Sequence, residues 1–188
     1  MNLFILDWDP TKAAQLQCDK HIVKMIVESA QMLSTAHRML DGYHIKAVSN
    51  SGKSQVKFWI HPDPELDGVL YKAVHSAHPC TVWTMASAMN YNWHYAHFIA
   101  LCDEYTHRYG KVHLTDKLLR EKLAIAPKNI KYAGLTQFAL AMKSNPECMF
   151  PNDPVRSYRA FYQTKQERFK MSWTNREVPE WFKVKEFA

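Results

Sequence analysis

Six residues near the start of the chain stand at alternating steps of three and four: His21, Lys24, Glu28, Gln31, Thr35 and Arg38. An α-helix turns about 100° per residue, so all six fall within a sector of roughly 100°, with Lys20 at its edge. Ile22, Val23, Met25, Ile26, Val27, Ala30, Met32, Leu33 and Ala36 fill most of the remaining surface. A surface helix has a narrow apolar stripe on a polar cylinder; this pattern is the inverse. It predicts a central helix, packed on most sides, whose one polar edge meets a cleft or solvent. That edge carries an acid, a base, an imidazole and an amide, hemmed in by apolar side chains, which is the setting in which carboxylates acquire acid–base roles. Glu28 is the candidate general acid/base or electrostatic stabiliser, with His21 beside it. The plain alternative is a core helix with one wet edge, in which Lys24 and Glu28 form an ordinary i,i+4 ion pair. His21 and Glu28 are two turns apart, long for one ion without further ligands. No metal site and no cofactor is expected.

Other elements must face or extend this edge. "TVWTMASAMNYNWHYAHF" places Thr84, Ser87, Asn90, Tyr91 and His94 at helical spacing, a possible second wall. Near the end of the chain, Arg156 and Arg159 share a helix face, with Tyr158 and Tyr162 on the neighbouring one. Arginine forks suit phosphates and aromatic rings suit bases; Trp173 and Arg176 add to that set. Lys24, Gln31, Arg38, Asn90, Tyr91, His94, Arg156, Arg159 and Tyr162 are therefore the candidate substrate-binding residues. The competing reading makes the aromatics core and the arginines solvated.

The scaffold follows from punctuation. "NLFIL" reads as a first strand or extended segment. Asp9 caps a helix that opens with Pro10 and is expected to run to about Leu40, stopping at "DG". Residues 43–60 alternate on both sides of a turn-rich centre and predict a β-hairpin. "GKS" at 52–54 is not a phosphate loop, because the motif needs glycine where Ala47 stands. A short helix is expected around 66–75, a long one from "HPC" to a Gly110 cap, and another from Thr115 to about Leu123. Residues 126–154 read as a long loop. Asp153 and Pro154 open a last helix, and an aromatic tail packs back. The whole predicts a mainly α chain, one compact helical domain over 1–188, with a 43–60 hairpin insertion and a C-terminal helix and aromatic tail over 145–188.

The chain has 188 residues, 47% hydrophobic and 22% charged, with a formal charge of +6 and a pI of about 9.1. This is an ordinary globular balance. Its basic surplus, together with 13% aromatics, favours a polyanionic partner, DNA or a nucleotide. Cys18, Cys80, Cys102 and Cys148 lack C-x-x-C spacing, so neither a disulfide framework nor a zinc knuckle is expected. No apolar run is long enough to span a membrane. The opening lacks the basic start and long apolar run of a signal peptide, and a cytoplasmic protein is expected.

Two resemblances extend these readings. The blocks "LDWDPTKAAQLQCDKHIVKMIVESAQMLSTAHR", "AHPCTVW", "NYNW", "CDEYTHRYGKVH" and "WTNREVPEWF" resemble a family of tailed-phage proteins over nearly the full length, which implies action inside an infected host cell. More distantly, the first long helix resembles that of the phage pyrimidine-dimer DNA glycosylases, compact helical enzymes that flip a nucleotide and cut its glycosidic bond. Their pattern of Asp, one residue, His, two aliphatics and a Glu seven after the His is matched by Asp19, His21, Ile22, Val23 and Glu28. The resemblance implies a glycosylase-like helical fold, with Glu28 as catalytic carboxylate and His21 as a DNA-side or structural partner. That family attacks with the α-amine of a small N-terminal residue and carries an Arg beside its Glu; Asn2 and Val27 stand at those places here.

The expected function is therefore a phage enzyme acting on DNA bases or nucleotides, by N-glycosidic cleavage or base modification, with Trp83, Tyr91 or Trp93 as a slot for a flipped base. The alternatives are a non-catalytic binder of nucleic acid or of a signalling nucleotide that counters a host factor, and a structural phage component.

Overall fold

The computed structural model describes residues 1–48 and 52–184. Among them the chain is mainly helical: α1 Pro10–Gln15, α2 Asp19–Leu40, α3 Pro64–Val69, α4 Pro79–Ala86, α5 Ala88–Tyr109, α6 Leu114–Leu119 and α7 Pro154–Gln163, with one hairpin, β1 Tyr43–Val48 and β2 Gln55–Ile60. The strands pair antiparallel from Tyr43 opposite Ile60 to Val48 opposite Gln55. Residues 49–51 of the expected turn lie outside the described residues. No described helix is long and apolar enough to cross a membrane.

Several of the expected helices are shorter or broken, and the one expected around 66–75 spans Pro64–Val69. The first splits after Gln15: Cys18 turns extended (ψ 163°) and restarts the helix at Asp19, while its backbone N–H donates to the Tyr162 hydroxyl at 2.9 Å. The long helix from "HPC" breaks at Ser87, which is extended (φ −157°) and caps the new helix by accepting from Asn90 N–H. Thr115 is not a cap; His113 is, accepting from Thr115 N–H at 3.1 Å. The last helix ends at Gln163 and tightens into a 3₁₀ turn over Thr164–Glu167. Asp9, Pro10, Asp153 and Pro154 start their helices as expected, and Gly110 ends α5 at a left-handed φ of 62°, open to glycine without strain.

The first segment, Leu3 to Leu6, is buried but joins no ladder. It threads between α2 and α7, where Phe4 packs against His21, Tyr158, Phe161 and Tyr162. α2 also packs on α4, α5 and α6, the central position its inverted polarity requires. A buried ion network ties the far side. Arg108 donates to Glu104 (2.7 Å) and Asp19 (2.9 Å), and Arg176 donates to Glu104 (2.8 Å). Asp19 also accepts from Ser172 and from Thr174 N–H, which pins the tail to the start of α2. Gly42 joins α2 to the hairpin; a Cβ there would collide with the carbonyl oxygens of Arg38 and Ile60.

Candidate functional site

The amino half of the polar edge of α2 meets the start of the chain. Glu28 Oε2 accepts from Asn2 N–H at 2.9 Å and lies 3.6 Å from the Met1 α-amine. Its Oε1 lies 3.2 Å from Lys24 Nζ. The carboxylate is 12% exposed, whereas the Lys24 side chain is 65% exposed. The start of α4 closes the other side. Cys80 Sγ approaches Asn2 Oδ1 at 3.9 Å, and His78 feels the charges of both the amine and Glu28. Glu28 is therefore a half-enclosed carboxylate among nitrogen donors. Gln31, one turn further along, is only partly buried.

His21 sits below this group rather than in it. It is buried between Phe4 and Phe169, and its Nδ1 bonds the Tyr162 hydroxyl at 2.7 Å. Burial, then Lys24 and Lys165, push its pKa down to about 3, so it is a neutral positioning group at neutral pH. Around it the surface is cationic: Lys20 lies over the Phe169 ring at 4.7 Å and Lys165 over the Phe161 ring at 3.4 Å. Burial, then Arg168 and other charges, pull Lys165 down to about 8.

Other residues expected to touch substrate are used by the fold. Arg38 is buried, and all five of its N–H donors go to the chain: the carbonyls of Trp59, Asp67, Leu70 and Tyr71 and the Asp67 carboxylate. It anchors the end of β2 and α3 and has no donor left for a phosphate. Asn90 fastens residue 136, exchanging bonds with Thr136 N–H and Oγ1. His94 is fully buried against the Thr84 hydroxyl at 2.7 Å. Tyr91 is fully buried, donating to the Leu123 carbonyl and meeting His37 Nε2 at 2.8 Å. Tyr162 is fully buried as well, so it offers no face for stacking. Helical spacing groups these residues correctly; the packing of α5 against α1 and α2 turns them inward.

Arg156 remains available, whereas Arg159 is partly engaged, its Nη2 lying 3.5 Å from Asp7 Oδ2. Both line a cleft of about 940 Å³, together with Trp8, Phe150, Trp181 and Lys183. Arg156 lies over Phe150 at 3.9 Å, and Arg159 over Trp181 at 5.3 Å. Arg159 is steadied by donating to the Leu6 carbonyl at 2.8 Å. Glu28 does not line this cleft. The extended segment from Met1 to Asp7 joins the two places and spans at most roughly 22 Å.

A third polar group was invisible to the stripe pattern. His37, Asp41 and His61 bring one ligand atom each to within 4.8 Å of one another. They line a cleft of about 690 Å³ with Leu66, Glu121 and Lys128. Burial pushes His37 down to about 4 against the pull of Asp41. The one sequence signal was His37 four residues before Asp41 at a helix end. His61, beyond the hairpin, carries no local signal.

Comparison of the chain with protein-family models, curated proteins and solved structures finds no match.

Proposed function

We propose that this protein processes DNA bases by cleaving the N-glycosidic bond, with Glu28 as acid/base. The observation that carries the reading is the fold-back of the chain start: the first two backbone nitrogens sit on a half-enclosed carboxylate 26 residues away in sequence. A glycosidic bond breaks through a cation-like sugar, which a fixed carboxylate stabilises. An adjacent amine can attack the same carbon. The C1′–N bond then breaks, the base leaves with that electron pair and takes up a proton, and ring opening yields an imine. The Met1 amine lies 3.6 Å from the carboxylate, while the Asn2 N–H, a peptide amide with a delocalised lone pair, only holds that carboxylate by a hydrogen bond at 2.9 Å. Lys20, Lys24 and Lys165 would meet backbone phosphates, a sequence-independent attraction.

The test is incubation of the full chain with duplex oligonucleotides carrying damaged, modified or abasic sites, with borohydride added to reduce an imine to a stable adduct. The expected result is base release or a covalent adduct, lost in Glu28→Gln while binding to the same duplex persists. A short extension ahead of Met1 should remove the adduct if the amine is the nucleophile. Unchanged turnover in Glu28→Gln would overturn the reading.

A second reading is favoured by the α7 cleft. Arg156, Arg159 and the two tryptophans lining it suit a nucleotide held without turnover. Binding that survives Glu28→Gln, with no product from any substrate, and that falls in Arg156→Ala would support it.

A further inference from the structure

We propose that His37, Asp41 and His61 form a binding site for a divalent transition ion of the zinc type, open on one side to the cleft between the end of α2, the start of α3 and residues 121–129. His37 and His61 are 3% and 6% exposed, yet His37 Nδ1 and His61 Nε2 have no hydrogen-bond partner among the described residues. Buried polar atoms are normally satisfied, and orphans call for an explanation. Here the two orphan nitrogens belong to one cluster with a carboxylate, Asp41 Oδ2 lying 4.0 Å from His61 Nε2.

The surrounding bonds prepare two of the three groups. The Tyr91 hydroxyl donates to the Leu123 carbonyl at 2.9 Å, so towards His37 Nε2, 2.8 Å away, it accepts. Binding an ion through Nδ1 requires the ring hydrogen on Nε2, donated to the Tyr91 hydroxyl, the outer-shell control of tautomer seen at metal-bound histidines, and release of the ring from the Ile125 backbone beside it. Asp41 is held by Lys128 N–H at 2.7 Å and Asn129 N–H at 2.8 Å. His61 must adjust: its Nδ1 accepts from Asp63 N–H at 3.1 Å, which puts its hydrogen on Nε2. Coordination through Nε2 moves that hydrogen to Nδ1 and frees the Asp63 amide.

The donor set selects the ion. Two imidazoles and one carboxylate suit zinc, iron(II) or manganese, whereas calcium and magnesium prefer all-oxygen shells. Bonds of about 2.0–2.1 Å to a tetrahedral ion bring ligand atoms to about 3.4 Å apart, so the side chains close inward by roughly an ångström on binding. Three protein ligands leave one position facing the cleft, the arrangement in which a metal carries an exchangeable water.

The experiment uses the full chain stripped by a chelator, then titrated with Zn²⁺ in competition with a chromophoric chelator and with Co²⁺ followed by visible absorption. The expected result is uptake of about one equivalent per chain. His61→Ala and Asp41→Asn should each weaken uptake at least about tenfold, and His44→Ala, on the exposed face of β1, should leave it unchanged. On the unmutated chain, Zn²⁺ should shift the Asp63 amide resonance, a readout that does not depend on any variant folding. Absence of stoichiometric uptake, equal uptake by His61→Ala, or an Asp63 amide that stays in place as the ion binds would each overturn the site.

Discussion

On one face of α2, Glu28 is surrounded by the Asn2 N–H, the Met1 amine and Lys24. On the other side of the same helix, His37 and Asp41 lie about 160–200° around from His21 and roughly 13 Å or more along the axis from Glu28, and there two imidazole nitrogens of the cluster have no partner. The first face gathers donors around a carboxylate; the second gathers two imidazoles and a carboxylate around a gap. A carboxylate bonded from several sides is fixed in position, and a gap between a carboxylate and two imidazoles suits a cation once His61 moves its hydrogen to Nδ1. The difference comes from what each face meets: the chain start and α4 at one, the hairpin exit and residues 121–129 at the other.

The strongest way to break the comparison is Glu28→Gln, which should lower turnover about 10²–10⁴-fold while leaving zinc uptake at the other face intact, measured on one preparation. If both change together, the two faces are not independent. Arg38→Met should cost roughly 3 kcal/mol in denaturant unfolding, because it strips donors from one buried and three part-buried carbonyls and from an acid. As Arg38 holds the strand that delivers His61, metal uptake should fall too, with Glu28 chemistry reduced only in proportion to the folded fraction.

Acid should act on both faces through the shared scaffold. Burial opposes the charge on Asp19 and Glu104, but the bonds from Thr174, Ser172 and Arg108, and from Arg176 and Arg108, outweigh it and hold both below their ordinary values of 3.8 and 4.5. The folded chain thus binds fewer protons there than the unfolded chain. Their contribution is complete above about pH 4.5 and is lost as pH falls through the depressed folded values. Melting temperature against pH checks this, and Glu104→Gln should flatten the acid limb. The smallest expected effect is Arg156→Ala, which should reduce the salt slope of DNA binding by about one and leave Glu28 turnover on saturating substrate little changed.

The helical class, the hairpin, and the caps at Asp9, Pro10, Gly110, Asp153 and Pro154 were legible because each rests on local chemistry. The breaks at Cys18 and Ser87 were not, since they answer to remote partners, the Tyr162 hydroxyl for the first and the Gly134 carbonyl for the second. Periodicity found the polar edge but assigned Arg38 to a ligand, because a helical wheel cannot register that a loop 30 residues on will cover it. Val23, read as core, is 42% exposed. The His37–Asp41–His61 cluster escaped for the opposite reason: two of its members are lone polar residues on an apolar face, and the third is delivered by tertiary structure.

The anchoring of the C-terminal tail by Asp19 and Glu104 has a consequence for handling the molecule. Trp181 and Lys183, which wall the arginine cleft, flank Phe182, which is buried in the core against Tyr162 and Trp173. Trimming the segment back past Phe182 would therefore open the cleft and uncover the core around Tyr162 together. Conversely, whatever occupies the cleft should act as a splint, slowing digestion from that end.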